Sequence, residues 1–94
     1  MDPRWVAGVS AWLASHRTYP ESARERGEEG NVAVRFTVDR YGRVLQAVIV
    51  RASGSTLLDD AALGLLRQAE FPAFPADMTE AQVTITTSVR YSLR

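Results

Sequence analysis

Residues 30–50 read GNVAVRFTVDRYGRVLQAVIV. Val32, Val34, Phe36 and Val38 alternate with Ala33, Arg35, Thr37 and Asp39, the period-two signature of a strand with one buried face. Asp39-Arg40-Tyr41-Gly42 then reads as a tight turn, with Gly42 supplying the positive φ that closes a three-residue loop. Residues 43–52 return as a second strand, so this stretch is an antiparallel hairpin. Pairing Asp39 with Arg43 sets Val38 opposite Val44, Val34 opposite Val48 and Val32 opposite Val50. The same register sets Gln46 opposite Phe36, which interrupts the apolar face, and turns Leu45, Ala47 and Ile49 the other way. Alternation therefore suggests this register without forcing it.

Upstream, PRWVAGVSAWLASH (residues 3–16) predicts a helix, capped by Asp2 and opened by Pro3. Trp5, Val9, Trp12 and Leu13 recur on one face. Pro20 breaks the chain and holds Tyr19 extended. Glu21–Arg26 predicts a short second helix that ends near Gly27. Downstream, TLLDDAALGLLRQAE (residues 56–70) predicts the clearest helix. Thr56 is its expected N-cap, Asp59 and Asp60 sit in its first turn, and Leu58, Ala61, Ala62, Leu65 and Ala69 form its apolar stripe. Phe71-Pro72-Ala73-Phe74-Pro75 stops the helix. Residues 82–93 alternate again, with Val83, Ile85, Val89, Tyr91 and Leu93 on one side.

The expected order is helix, helix, strand, strand, helix, strand, an α+β fold (ααββαβ). The simplest arrangement places the first strand in the centre of a three-stranded antiparallel or mixed sheet of order 2-1-3. A helix then crosses one face of the sheet, right-handed, and the second and third strands run parallel. The last strand is left at a sheet edge.

Composition narrows the function. The chain has 94 residues, enough for one domain and one small core. Its 11 basic residues, all arginine, balance 11 acidic ones, and a nucleic-acid footprint would need a basic excess. The absence of cysteine excludes disulfides, thiolate metal sites and cysteine nucleophiles. No apolar run approaches the roughly 20 residues of a membrane helix, and Met1-Asp2-Pro3-Arg4 contains no apolar signal region. A start so close to the first helix suggests a domain excised from a longer parent.

Enzyme chemistry finds little support. His16 is the only histidine, and near a helix end such a residue is ordinarily a cap or a surface group. Asp59-Asp60 is explained by the helix dipole, and Glu28-Glu29 by a solvated turn. No glycine-rich phosphate loop or metal-spaced cluster occurs. No catalytic residue, metal or cofactor is expected.

Two features remain. The last strand presents Thr84, Thr86, Ser88, Arg90 and Ser92 outward, with no lysine, proline or bulge to protect a free edge. Such an edge can accept a partner peptide as an added strand. The other feature is Tyr19-Pro20, either a packed linker or an exposed aromatic-proline ledge beside an extended ligand. For a six-residue partner, about six main-chain hydrogen bonds contribute roughly 3–9 kcal/mol. Ordering the segment costs roughly 6–12 kcal/mol. Backbone pairing therefore needs help from side chains, and the Tyr19-Pro20 segment is placed to give it.

Taken together, Tyr19-Pro20, Ala23, Arg26, Gly30 to Phe36, Gly42-Arg43-Val44, Ser53-Gly54, Leu58-Asp59, Ala61 to Leu63, Phe71-Pro72 and the closing strand resemble the TonB C-terminal domain family. The resemblance covers nearly the whole chain from about residue 12. It implies one domain over residues 1–94, with an N-terminal helix and approach segment (1–18) before an αββαβ core (19–94). It also implies a periplasmic domain of an inner-membrane-anchored protein. Such a domain grips the TonB box, a short extended segment of an outer-membrane receptor, and transmits proton-motive-force energy for siderophore, haem or cobalamin import. The implied partners are that receptor and, through the missing N-terminal part, an inner-membrane proton-channel complex.

The partner segment is expected along Val83, Thr84, Ile85, Thr86, Thr87, Ser88, Val89, Arg90 and Tyr91, with contacts from His16, Arg17, Thr18, Tyr19 and Pro20. His16 stands where many members carry glutamine. The alternatives are a TolA-like envelope-integrity domain and a module that forms a homodimer through the last strand.

Overall fold

The structure is a computed structural model that describes residues 2–93. Helix α1 (Pro3–His16) leads to a short α2 (Glu21–Glu25), β1 (Gly30–Asp39), β2 (Val44–Arg51), α3 (Thr56–Arg67) and β3 (Gln82–Tyr91). The sheet order is β2-β1-β3. Both pairings are antiparallel, so the outer strands run parallel to each other on either side of β1. The expected fold and strand order are those observed.

Local chemistry accounts for most of the element ends. Asp2 accepts a hydrogen bond from the Arg4 N–H at 2.8 Å and caps α1, with Pro3 in the first turn. Trp5, Val9 and Leu13 are buried, and the Trp5 indole N–H donates to the Pro72 carbonyl at 2.7 Å. The buried face of β1 consists of Val32, Val34, Phe36 and Val38. Phe71 stacks on Phe36 and meets the edge of Trp12, which ties the 71–75 loop to both the sheet and α1.

The hairpin register departs from the simple expectation. Val38 does pair with Val44, but the register then slips by one residue, so Thr37 pairs with Gln46, Phe36 with Ala47 and Val34 with Ile49. A bulge at Leu45 flips the rest of β2. Gln46 moves off the core face to the outer side opposite Thr37, and the small Ala47 takes its place against the bulky Phe36. Ala47 and Ile49 pack on the core, whereas Val48 and Val50 are 41% and 48% exposed. A second irregularity between Ala33 and Val34 sets Arg51 opposite Ala33.

Four further expectations are corrected. The N-cap of α3 is Ser55, whose hydroxyl accepts from the Leu58 N–H; Thr56 is the first helical residue. The Ser55 hydroxyl also donates to Glu28 at 2.6 Å, a long-range partner that cap rules cannot foresee. The helix stops at Arg67, and Glu70 makes an isolated backbone β-bridge with Arg43 instead. Leu66 joins Leu58, Ala62 and Ala69 in the core, while Ala61 and Leu65 are only partly buried. In the last segment the strand ends at Tyr91, and Leu93 is exposed rather than core-facing.

Asp59 does more than complement a dipole. Its buried carboxylate accepts from the Ser53 N–H at 2.9 Å and the Ser53 hydroxyl at 2.8 Å, fastening the β2–α3 loop. Asp59→Ala removes both bonds and leaves a buried N–H unpaired, so it is expected to cost about 1–3 kcal/mol in a urea titration. Asp60→Ala, on the exposed side of the same turn, is expected to cost less than about 1 kcal/mol.

Candidate functional site

Strand β3 pairs with β1 along its whole length, Gly30↔Tyr91 through Asp39↔Gln82. Its other side has no strand partner among the described residues. Val83, Val89 and Tyr91 point into the core and Ile85 is half-buried against it. Thr84, Thr86, Ser88 and Arg90 lie exposed on the opposite face. The sheet ends here in an edge without a strand neighbour, flanked by hydroxyls.

The segment between α1 and α2 is extended, with φ,ψ of −61°, 126° at Arg17 and −60°, 134° at Pro20. The five expected contact residues, His16 at the end of α1 and the four that follow it, divide into two groups by what they touch. Arg17 and Tyr19 turn to β3. An Arg17 Nη1–H donates to the Arg90 carbonyl, and the guanidinium lies 5.8 Å from the centre of the Tyr91 ring. Tyr19 meets Tyr91 edge to face, with centroids 5.5 Å apart and planes at 87°. Its hydroxyl donates to the Glu28 carbonyl.

His16, Thr18 and Pro20 turn the other way. With Trp12, Ala61, Gly64, Leu65 and Gln68 they line a cleft of about 410 Å³ between α1 and α3. His16 stacks flat on Trp12 at 4.1 Å, with Nδ1 2.9 Å from the Trp12 carbonyl oxygen.

Tyr19 is therefore a packed buttress under the end of β3 rather than a bare ledge. Partial desolvation, aided by the nearby Glu29 carboxylate, raises its pKa above the usual phenol value. Burial raises that of Tyr91, whose hydroxyl finds no hydrogen-bond partner among the described residues. Both phenols stay neutral at physiological pH, and the aromatic pair acts through packing.

Sequence reasoning missed the wall facing the edge. Ser10, Leu13 and Ala14 on one face of α1, with Arg17 just after it, line a groove of about 220 Å³ with Thr87, Ser88, Val89 and Arg90. Their i, i+3, i+4, i+7 spacing is visible in the sequence, but its position beside β3 is not. No group of three His, Asp or Glu side chains able to hold a metal occurs among the described residues. No described helix is long and apolar enough to cross a membrane.

Comparison with known proteins extends this picture. Residues 15–93 match the family model described as Gram-negative bacterial TonB protein C-terminal. The chain is 40% identical over 67 residues to Protein TonB of Pseudomonas putida, covering 71% of this chain and 28% of that protein. It is 33% identical over 86 residues to Protein TonB of Helicobacter pylori, covering 92% and 29%. It thus spans less than a third of these relatives.

Among solved structures, a Helicobacter pylori TonB C-terminal domain superposes with a TM-score of 0.80 at 27% identity, covering 100% of this chain and 85% of that one. The HasB C-terminal domain superposes at 0.60 with 30% identity, covering 100% and 73%.

Proposed function

The chain belongs to the Gram-negative TonB protein C-terminal family, and on that premise we propose that it is a periplasmic peptide-binding domain of an energy-transducing protein. It grips the TonB box of an outer-membrane receptor by strand addition to β3 and passes on the pull that drives import. The observation that carries this reading is the open edge of β3, without a strand partner over Gln82–Tyr91 among the described residues and bordered by the α1 groove. Side chains must supplement backbone pairing, and Arg17 and Tyr19 are placed to do so. Tyr19 holds Tyr91 in position beneath the edge, while Arg17 lies at the end of the groove.

The test is titration of the isotopically labelled domain with a synthetic TonB-box peptide, followed by backbone amide shifts. Shifts are expected along residues 83–91 and at Ser10, Ala14 and Arg17. If those amides stay still at millimolar peptide, the reading fails.

The divided approach segment supplies a finer prediction. His16→Ala and Thr18→Ala, on the side of the α3 cleft, are expected to change peptide affinity less than twofold. Tyr19→Ala removes the support under Tyr91 and is expected to weaken it about tenfold, equivalent to the ~1.4 kcal/mol of a lost aromatic pair. Equal effects at His16 and Tyr19 would mean that the whole segment contacts the ligand directly.

A further inference from the structure

The outer face of the sheet, away from α1 and α3, gathers three arginines, of which only Arg90 also borders the α1 groove. Arg51 lies opposite Ala33 on β2, and Ser88 lies opposite it on β3. Arg35 is two residues along β1 on the same face, and Arg90, opposite Asn31, is the diagonal neighbour. Same-face neighbours of these kinds stand roughly 5–8 Å apart, so three arginines surround one small residue.

All three are exposed. No ion pair holds Arg35, Arg51 or Arg90 among the described residues; Arg35 reaches only the Thr86 hydroxyl at 3.3 Å. The one carboxylate on β1's outer side, Asp39, is at the far end and engaged by the Tyr41 and Arg43 N–H groups and the Arg43 guanidinium. In a chain with equal numbers of acidic and basic residues, this segregation is a real local excess of positive charge.

The same surface is also apolar. The bulge at Leu45 turns Val48 and Val50 outward, and with Leu45 (56% exposed) they make a strip along β2 beside the arginines. Arginine bordering exposed aliphatic groups suits a protein interface, whose centre is apolar and enriched in arginine. A carboxylate matches the planar guanidinium fork, two N–H groups to two oxygens.

We propose that this face, from Leu45 to Arg51 along β2 and across Ala33 to Arg90, docks a second protein through a surface carrying carboxylates around an apolar centre. A second copy of this chain is the poorer occupant, because it brings no free carboxylate to answer the arginines: Asp39 on this face is already engaged. A nucleic acid or an anionic membrane would call for a broader basic field than three side chains on a chain of pI 6.6, and a nucleic acid would leave the valines unused. The proposal does not rest on strand addition at β3, since it uses the face of the sheet rather than its edge.

The probe is an amphipathic helical peptide with leucine and glutamate on one side, which cannot add to a sheet as a strand. Its control carries glutamine for glutamate. With the labelled domain, the glutamate peptide is expected to shift the amides of Ala33, Arg35, Val48, Val50 and Arg51. Affinity is expected to fall at least tenfold for the glutamine peptide, and equally for the R35Q/R51Q/R90Q variant. These are surface changes, so the variant's dispersed amide spectrum will verify its fold.

The proposal is overturned by no shift at these amides at millimolar peptide, by equal binding of the two peptides, or by tighter binding to phosphatidylglycerol vesicles. Dimerisation mapped to the same residues would also overturn it. Loss of TonB-box binding at β3 would leave it standing.

Discussion

Gly42→Ala is expected to destabilise the domain by at least about 3 kcal/mol, a large part of the roughly 5–15 kcal/mol that holds a small domain together. Two costs combine. Gly42 has φ +88°, where a side chain is strained by about 1–2 kcal/mol. A Cβ there would also lie 2.0 Å from the Phe71 carbonyl oxygen and 2.8 Å from its carbon, both main-chain atoms that cannot swing aside. Relief requires pushing the 71–72 segment away. That breaks the hydrogen bond from the Phe71 N–H to the Gly42 carbonyl and unseats Phe71 from Phe36 and Trp12.

Urea unfolding should show a much lower midpoint. Gly27→Ala is the control, since Gly27 has φ +66° but an added methyl would meet nothing within 4 Å, and only the backbone strain remains. A Gly42→Ala protein as stable as Gly27→Ala would show that the turn is not clamped to the loop.

A proline scan of β3 should give the largest effect on ligand binding. The Arg90 carbonyl is reached by Arg17 because it points away from β1. Two-residue alternation then directs the main-chain groups of Ser88, Thr86 and Thr84 to the open edge, and those of Thr87 and Val89 toward β1. Ser88→Pro deletes an outward N–H that the isolated domain does not use, and edge strands tolerate proline there. The fold is expected to survive while TonB-box affinity drops at least tenfold, through one lost main-chain bond and a ring in the path of the added strand.

Thr87→Pro deletes a bond to β1 and is expected to cost about 1–3 kcal/mol of stability from the orphaned carbonyl alone. Thermal melts and peptide titration of both variants separate the effects. If Ser88→Pro binds as the parent does, the ligand does not add at β3.

Much of this was legible in the chain because it is written in neighbouring residues. The valines and Phe36 of β1 alternate without a break, and β1 is the central strand with that face wholly buried. Asp2, Pro3 and Gly42 act within a few residues of themselves, and each does what its local chemistry implies. The edge position of β3 followed from strand order, and so did the hydroxyl row along it.

The β2 register was not legible for a specific reason. VLQAVIV is apolar at six of its seven positions, so either face can be buried. The choice falls to Phe36, which accepts Ala47 opposite it and excludes Gln46. Ser55 displaces Thr56 as cap because Glu28, 27 residues away in the chain, reaches its hydroxyl. The approach segment likewise has no local signal for which side chain turns to β3.

Read alone, the chain dictates the order of the elements, the central strand, the turn at Gly42 and the family, because periodicity, capping and backbone preference act over a few residues. The bulge at Leu45, the separation of Arg17 and Tyr19 from His16, Thr18 and Pro20, and the cationic outer face emerge only on folding. Those depend on which surfaces α1, α3 and the 71–75 loop cover, and such coverage arises between residues far apart in the chain.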